Sequence, residues 1–224
     1  MNWNKKFIYP PSTRSLINDK RHYEVDNTKL PSVTTILEAT QTSEKRASLE
    51  KWRLKVGAET AENIKNTAAT RGTIMHRVIE GHLLGHRHAD LSDLGQQAGR
   101  MAQNIIETGL EGHLNEIWGS EITVFYPNLY AGATDLAGIY DNKESIVDFK
   151  QSNKMKKREW ITDYFIQLAG YAMAHNVMQG TKIQTGVILM CTAQNIFQKF
   201  TVEGKEFQKY MWEWLRRVDE YYRA

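Results

Sequence analysis

Two charged residues on one predicted strand are the first candidates for chemistry in this sequence. Residues 145–150 read Ser-Ile-Val-Asp-Phe-Lys, and the side chains of a strand alternate between its two faces. Val147 and Phe149 therefore point to one face, whereas Asp148 and Lys150 point together to the other. Such a pair is typical of a solvated strand face, so it indicates a site only where other polar groups join it.

Asp135 is the group that joins them. A turn at Asp141–Lys143 connects the strand patterns of residues 130–140 and 145–150, and pairing about this turn places Asp135 beside Asp148. Two neighbouring carboxylates repel each other unless a cation lies between them. Hard divalent cations prefer carboxylate and water oxygens. The sequence therefore predicts a Mg²⁺ or Mn²⁺ site at this place.

Two helical pairs flank these strands. His76 and Glu80 are four residues apart and share a helix face, on a helix that we expect to begin after a Thr70 cap. Gln167 and Tyr171 have the same spacing on the helix that follows the strands. Taken alone, each pair also fits ordinary helix packing or an amphipathic surface.

These residues belong to four short motifs that occur in one order along the chain. The motifs are Gly-x-x-x-His from Gly72 to His76, Gly-x-x-Asp from Gly132 to Asp135, Asp-x-Lys from Asp148 to Lys150, and Gln-x-x-x-Tyr from Gln167 to Tyr171. Their order and spacing resemble the RecB-type branch of the PD-(D/E)XK nuclease superfamily. The run Leu30–Leu37 resembles a segment of mitochondrial genome maintenance exonucleases and their phage relatives. The chain departs from the pattern at Thr134, where relatives have proline, and at Gln151, where many have threonine.

The resemblance implies a role for each matching residue. The implied metal ligands are the side chains of His76, Glu121, Asp135 and Asp148 and the backbone carbonyl of Phe149. Glu121 fits a solvent-facing strand end equally well. Lys150 would orient the attacking water and stabilise charge on the phosphate, so that the implied catalytic set is His76, Asp135, Asp148 and Lys150.

Residues for DNA contact are expected around this set. Gln167 and Tyr171 would contact the DNA backbone or brace the site, and the cationic run of residues 154–158 precedes a helix N-terminus, where phosphate binds readily. The expected DNA-binding residues are Arg71, Ser152, Lys154, Lys156, Lys157, Arg158, Gln167 and Tyr171. Residues 57–150 carry a net charge of −6, whereas residues 1–56 carry +5 and residues 151–224 carry +4. The basic ends are therefore candidates for phosphate-binding walls around an acidic metal site.

Hydrophobic periodicity predicts the elements that must hold these groups. The predicted strands are 21–25, 28–30, 120–126, 130–140, 145–150, 182–192 and 196–202, and the predicted helices are 32–39, 43–56, 58–69, 72–84, 94–114, 158–177 and a last one from about residue 207. This order predicts an α/β sandwich around a small mixed sheet. The resemblance implies a restriction-endonuclease-like core with an N-terminal helical elaboration. We expect one nuclease domain over residues 1–224, mainly helical to residue 114, with the catalytic sheet and C-terminal helix after it.

Composition excludes several classes of protein. The 224 residues include one cysteine, so an internal disulfide and a cysteine-based zinc site are excluded, and no iron–sulfur cluster is expected. No stretch approaches about 18 uninterrupted apolar residues, so no membrane partner is expected. The first residues lack the apolar region of a secretory signal, and we expect a cytoplasmic location, that of the host if the gene is phage-encoded.

The function expected from these observations is a metal-dependent DNA exonuclease. It would hydrolyse phosphodiester bonds of single-stranded DNA from a free end, by a water that the metal activates with the help of Lys150. Two alternatives stay open. One is a duplex exonuclease or structure-specific endonuclease built on the same core, and the other is a non-catalytic nucleic-acid-binding module.

Overall fold

The computed structural model describes residues 1–86 and 88–224 and has helices on both faces of a β-sheet. The strands are β1 (Thr13–Ile17), β2 (Lys20–Val25), β3 (Thr28–Pro31), β4 (Leu114–Tyr126), β5 (Tyr130–Tyr140), β6 (Lys143–Ser152), β7 (Thr185–Thr192) and β8 (Phe197–Glu203). The helices are α1 (Val33–Ala39), α2 (Ser43–Val56), α3 (Ala58–Leu84), α4 (Asp93–Ile105), α5 (Thr162–Gln179) and α6 (Gly204–Arg223). The predicted α/β class is confirmed.

The N-terminal part contains a three-stranded sheet as well as helices. The predicted hairpin at Asp26-Asn27 is present as β2 and β3, and β1 adds a strand that the sequence analysis missed. Asn18 and Asp19 connect β1 to β2, and both have positive φ angles, as do Asp26 and Asn27. Asparagine and aspartate tolerate this conformation, which two-residue hairpin turns require. The Asn18-Asp19 pair is thus the signal that could have revealed β1.

Helix α3 is a single helix rather than the two that were predicted. It runs without a break through Thr70, so the predicted cap at that residue is wrong. Gly72 lies in the interior of this helix, although glycine there costs about 1 kcal/mol relative to alanine. Here a Cβ atom on Gly72 would lie 3.4 Å from Gln151 Cγ, so the glycine brings α3 close to β6.

The helix predicted over residues 94–114 is too long. Helix α4 ends at Ile105, a π-helical turn covers Ile106–Leu110, and β4 begins at Leu114. Gly112 adopts a φ of +78°, which ordinary side chains disfavour. The apolar residues of the turn continue the helical spacing although the backbone has already left the α-helix.

The larger sheet has the strand order β4-β5-β6-β7-β8, and it is mixed because β6 and β7 are parallel while the other neighbours are antiparallel. Helices α1, α5 and α6 pack on one face, and α3 and α4 pack on the other. Cys191 of β7 is buried. No helix in residues 1–86 and 88–224 has the length and apolarity needed to cross a membrane.

Strands β5 and β6 separate from each other partway along the sheet, and we call this point the fork. They pair from Tyr140 and Lys143 down to Leu136 and Val147, which confirms the predicted turn and register. Beyond that pair, β5 continues beside β4, and β6 continues beside β7. Asp135 and Asp148 are the first residues past the last pair. The fold therefore opens the sheet where the two predicted ligands lie.

Candidate active site

The fork leaves backbone groups of β6 without a partner strand, and a side chain replaces that partner. The Phe149 N–H donates a hydrogen bond to Asp135 Oδ2 over 2.7 Å. Asp135 is 8% exposed and Asp148 is 3% exposed. Because a buried carboxylate needs hydrogen bonds or counter-charges, both side chains depend on the groups that the neighbouring elements supply.

Helix α3 supplies His76. Its Nε2 donates to the Phe149 carbonyl over 2.9 Å, so Nδ1 faces the carboxylates. The Nδ1 atom lies 3.5 Å from Asp135 Oδ1 and 3.5 Å from Glu121 Oε1. Ligand atoms of these three residues all lie within 4.8 Å of one another. The structure thus brings together three of the four side chains that were predicted as metal ligands.

Glu121 reaches this group from a strained position in β4. The register that pairs Ser120 with Leu136 and Ile122 with Thr134 places Glu121 opposite Asp135. Its φ angle is +52°, a left-handed conformation that is rare for a non-glycine residue and costs on the order of 1–3 kcal/mol. Strain of this kind concentrates at functional sites, which favours the site role of Glu121 over a solvent-facing strand end.

Asp148 and Lys150 form an ion pair beside the three ligands. Asp148 Oδ2 contacts Lys150 Nζ, and Nζ also lies 5.2 Å from the centre of the Tyr164 ring. The predicted ligand Asp148 is therefore close to the other carboxylates but has Lys150 as its counter-charge.

The charges at the site depend strongly on one another. Burial lowers the pKa of His76, but the Asp135 and Glu121 carboxylates outweigh burial and hold it well above its usual value. Burial raises the pKa of Asp135, and the His76 and Lys150 charges more than compensate, so that the pKa lies below its usual value. Burial raises the pKa of Asp148 to about 6, although Lys150 opposes it. The site thus holds excess negative charge that cations must balance.

A divalent cation fits this set of donors. The group consists of one imidazole nitrogen and carboxylate oxygens, which suits Mg²⁺, Mn²⁺ and related ions. A bound cation would add positive charge beside the buried carboxylates of Asp135 and Asp148. The Phe149 carbonyl, a further predicted ligand, already accepts from His76, so its second lone pair is what it offers to an ion.

A cleft of about 520 Å³ opens onto the site. His76, Glu121 and Lys150 line it together with residues that the sequence analysis missed, namely Arg14, Arg21, Arg77, Gln151 and Tyr164. The first two arginines come from the N-terminal sheet, and the third comes from α3. Their position depends on how that sheet folds over β5, and no local pattern in the sequence encodes this.

Gln167 and Tyr171 brace the site from α5. Gln167 Nε2 donates to the Tyr171 hydroxyl over 2.8 Å, and both side chains are largely buried. A Cβ atom on Gly132 would lie only 2.6 Å from Tyr171 Cε1. The glycine of the second motif therefore makes room for the tyrosine of the fourth. Of the two predicted roles, bracing is the one that this geometry favours.

Arg71 and Ser152 lie beneath the cleft surface. Arg71 is buried, and its guanidinium donates to amide oxygens of Gln97, Gln151 and Asn153. Ser152 Oγ donates to the Lys154 carbonyl over 2.7 Å and closes a turn. Arg71 thus fixes the Gln151 side chain that lines the cleft. The expected direct contact of Arg71 and Ser152 with DNA stays a prediction.

The cationic run of residues 154–158 is only partly available for phosphate. Arg158 donates to both oxygens of Glu206 over 2.9 Å, which neutralises its charge. Lys154 and Lys157 are exposed, and Lys156 is half-buried. None of these residues is among the described ones that line the cleft. The structure brings the run close to β8 and α6, and its contact with DNA stays a prediction.

Comparison with known proteins reveals relatives that share most of this chain. No protein-family model matches the chain. It is 26% identical over 209 residues to mitochondrial genome maintenance exonuclease 1 of Xenopus tropicalis and 24% identical over 208 residues to the Homo sapiens protein of the same name. The alignments cover 87% and 86% of this chain. The chain spans 58% of the length of each relative. The similarity confirms the predicted resemblance to mitochondrial genome maintenance exonucleases.

A solved structure confirms the fold class. The crystal structure of a Eubacterium rectale protein, described as an exonuclease, matches this chain with a TM-score of 0.50 and 17% sequence identity. The match covers 69% of this chain and 64% of that chain. At this identity the likeness shows the fold alone.

Proposed function

We propose, from the premise that the chain is a homologue of the mitochondrial genome maintenance exonucleases, that it is a metal-dependent DNA exonuclease. The observation that carries this proposal is the meeting of His76, Glu121 and Asp135 at the fork, next to the Asp148–Lys150 ion pair. A non-catalytic binding module has no need of a set that combines a buried carboxylate, a strained backbone and mutually dependent charges.

The proposed cofactor is Mg²⁺ or Mn²⁺, held by His76, Glu121 and Asp135 with Asp148 beside them. When bound, the divalent ion supplies a nucleophile at neutral pH and neutralises charge on the phosphoryl group. The imidazole must bind in its neutral form through Nδ1, since Nε2 holds its proton on the Phe149 carbonyl. This second hydrogen bond fixes the ring and its tautomer.

Lys150 is proposed to act on the reacting phosphate. Its ammonium is a compact positive charge at the cleft surface, and its ion pair with Asp148 raises the Lys150 pKa despite burial, which by itself lowers it. Lys150 therefore remains charged at neutral pH. It can hold a water by hydrogen bonding and stabilise the negative charge that develops on the phosphate oxygens.

The proposed substrate is single-stranded DNA with a free end. A cleft of about 520 Å³ is in the size range that encloses a drug-sized ligand, which suits a short stretch of one strand better than a duplex. Helix α2 supports threading of a strand, because none of its residues is buried and it joins the exposed first half of α3. We propose that these two helices form an arch through which the strand passes.

We propose that residues 1–224 act as one nuclease domain, because His76 of the N-terminal part completes the ligands of β4 and β5. The N-terminal part alone lacks the carboxylates, and the sheet alone lacks the histidine. A cytoplasmic location remains a prediction from composition.

The test is digestion of end-labelled DNA in Mg²⁺, Mn²⁺ or EDTA. We expect metal-dependent shortening of linear single strands and survival of circular single strands. Faster digestion of linear duplex would favour the duplex exonuclease, and cutting of circles would favour the endonuclease. DNA binding without any metal-dependent product would contradict the proposal and favour the binding module.

A further inference from the structure

The inner face of the N-terminal sheet changes character along its length. Tyr23 and Val25 of β2 pack with Leu30 of β3 against Ala131 of the large sheet. Arg21 lies on the same face of β2 because side chains alternate. Arg14 pairs directly with Tyr23 across the strands, so it shares this face too. The sheet is thus apolar where it packs on β5 and cationic where it borders the cleft.

Helix α3 places a third arginine on the opposite wall. Arg77 follows the metal-site residue His76 in sequence and lines the same cleft as Arg14 and Arg21. Across residues 1–86 and 88–224, no carboxylate lies within ion-pairing distance of these three guanidinium groups. Four other arginines of the described residues, Arg158, Arg216, Arg217 and Arg223, do have such a partner.

We propose that Arg14, Arg21 and Arg77 form a two-walled clamp that binds phosphodiester groups of the nucleic-acid strand next to the metal site. The proposal rests on the proposed function and adds to it where the substrate backbone is held. Guanidinium groups donate to phosphate oxygens in a bidentate manner. Guanidinium groups from two different elements, the N-terminal sheet and α3, can therefore bind phosphates of one strand in the cleft that they line together. The carboxylates Glu80 and Glu121 line the same cleft and favour a cation rather than a phosphate beside them.

This assignment differs from the phosphate-binding run expected over residues 154–158. Arg158 of that run is neutralised by Glu206, whereas the clamp arginines lack acidic partners in the described part of the chain. The clamp also joins the N-terminal sheet to the reaction. Its strands β1 and β2 would otherwise contribute only packing to the fold.

The clamp is tested by the salt dependence of binding to a short single-stranded oligonucleotide in EDTA, where no strand is cut. Each phosphate contact on single-stranded DNA contributes about 0.7 to the slope of log affinity against log salt concentration. The double variant Arg14→Ala/Arg21→Ala should lower that slope by about 1.4 and weaken binding by about tenfold or more. The corresponding lysine variants should keep the slope and lose only part of the affinity, because charge remains but bidentate geometry does not.

The matched control is Lys20→Ala, which removes one positive charge from the outer face of the same strand. It should leave affinity and slope close to those of the unmodified chain. If the unmodified chain digests DNA with metal while the double arginine variant binds as tightly and with the same slope, the clamp is wrong and the nuclease function stands. If the arginine and Lys20 variants weaken binding equally, general charge explains the effect and the clamp is overturned. If the unmodified chain neither binds nor digests DNA, the proposed function itself fails.

Discussion

At the scale of single residues, the proposed ligand His76 would link metal binding to pH. Its Nδ1 lies between two carboxylates, and they hold the pKa of His76 above its usual value although burial opposes them. Without metal, the protonated ring therefore stabilises the fold at low pH, and this contribution is lost as the pH rises through the raised pKa. Metal binding requires the neutral ring. Metal affinity should therefore rise with pH, whereas the stabilisation by the protonated ring falls.

We predict that the rise in melting temperature caused by Mn²⁺ grows as the pH increases from about 6 to about 8.5, because fewer protons compete for the ligands. Burial raises the pKa of Asp148 to about 6. Protons on Asp148 therefore also compete with Mn²⁺ at the acidic end of this pH range. In the variant His76→Gln, Mn²⁺ should raise the melting temperature by less, and this rise should change less with pH. Equal pH slopes for the two proteins, measured by thermal unfolding, would contradict the role of His76.

Glu121 offers a separate test, because its backbone conformation and its carboxylate can be changed independently. The variant Glu121→Gly removes both the carboxylate and the strain of a φ of +52°, whereas Glu121→Ala removes the carboxylate and keeps the strain. We predict a free energy of unfolding about 1 kcal/mol higher for the glycine variant than for the alanine variant. Urea unfolding in EDTA measures the difference.

Both Glu121 variants should bind Mn²⁺ more weakly than the unmodified chain and to a similar extent. Equal unfolding free energies would show that the position is not strained. Unchanged Mn²⁺ affinity would remove Glu121 from the metal site.

At the scale of elements, α5 packs against β5 close to the fork. The Tyr171 ring occupies the space beside Gly132 that a side chain would otherwise take. Tyr171 also lies close enough to Asp148 that this carboxylate contributes, after burial, to raising the tyrosine pKa. Packing at Gly132 therefore affects both the stability of the sheet and the position of the catalytic strand.

We predict that Gly132→Ala lowers the free energy of unfolding by about 1–3 kcal/mol, because the new Cβ would lie 2.6 Å from Tyr171 Cε1 and the buried ring must move. Gly99→Ala in α4 is the matched control. Its Cβ would meet no atom within 4 Å, and a helix interior favours alanine over glycine by about 0.5–1 kcal/mol. Chemical unfolding should thus give opposite signs, and equal signs would contradict this account of Gly132.

The elements also show which features the sequence could predict. The register of β5 and β6 followed from the turn at Asp141–Lys143, because a tight turn fixes the pairing of the strands that it joins. The grouping of His76 with the carboxylates was implied by the resemblance that the four motifs carry. By contrast, α3 was divided at Gly72, since the local helix preference of glycine is weaker than the packing of α3 on β6.

At the scale of the whole molecule, the cleft was the part that the sequence could not supply. Arg14 and Arg21 lie more than 50 residues from the nearest proposed ligand in sequence, and they reach it only because the N-terminal sheet packs on β5. The sequence shows that the N-terminal part has a net positive charge. It does not show on which face of the sheet each arginine lies, because that depends on the tertiary fold. The predicted phosphate-binding run at residues 154–158 rested on local features alone, namely its charge and its position before a helix N-terminus.

The central claim is that the groups at the fork carry out metal-dependent hydrolysis of DNA. The most direct measurement compares the digestion rate of end-labelled single-stranded DNA by the unmodified chain and by Asp148→Asn and Lys150→Ala, with the exposed Lys205→Ala variant as a control for charge. We predict that the two site variants lose at least about 100-fold in rate while still binding the strand, and that the control keeps its rate. Digestion at an unchanged rate by either site variant would contradict the assignment of the active site.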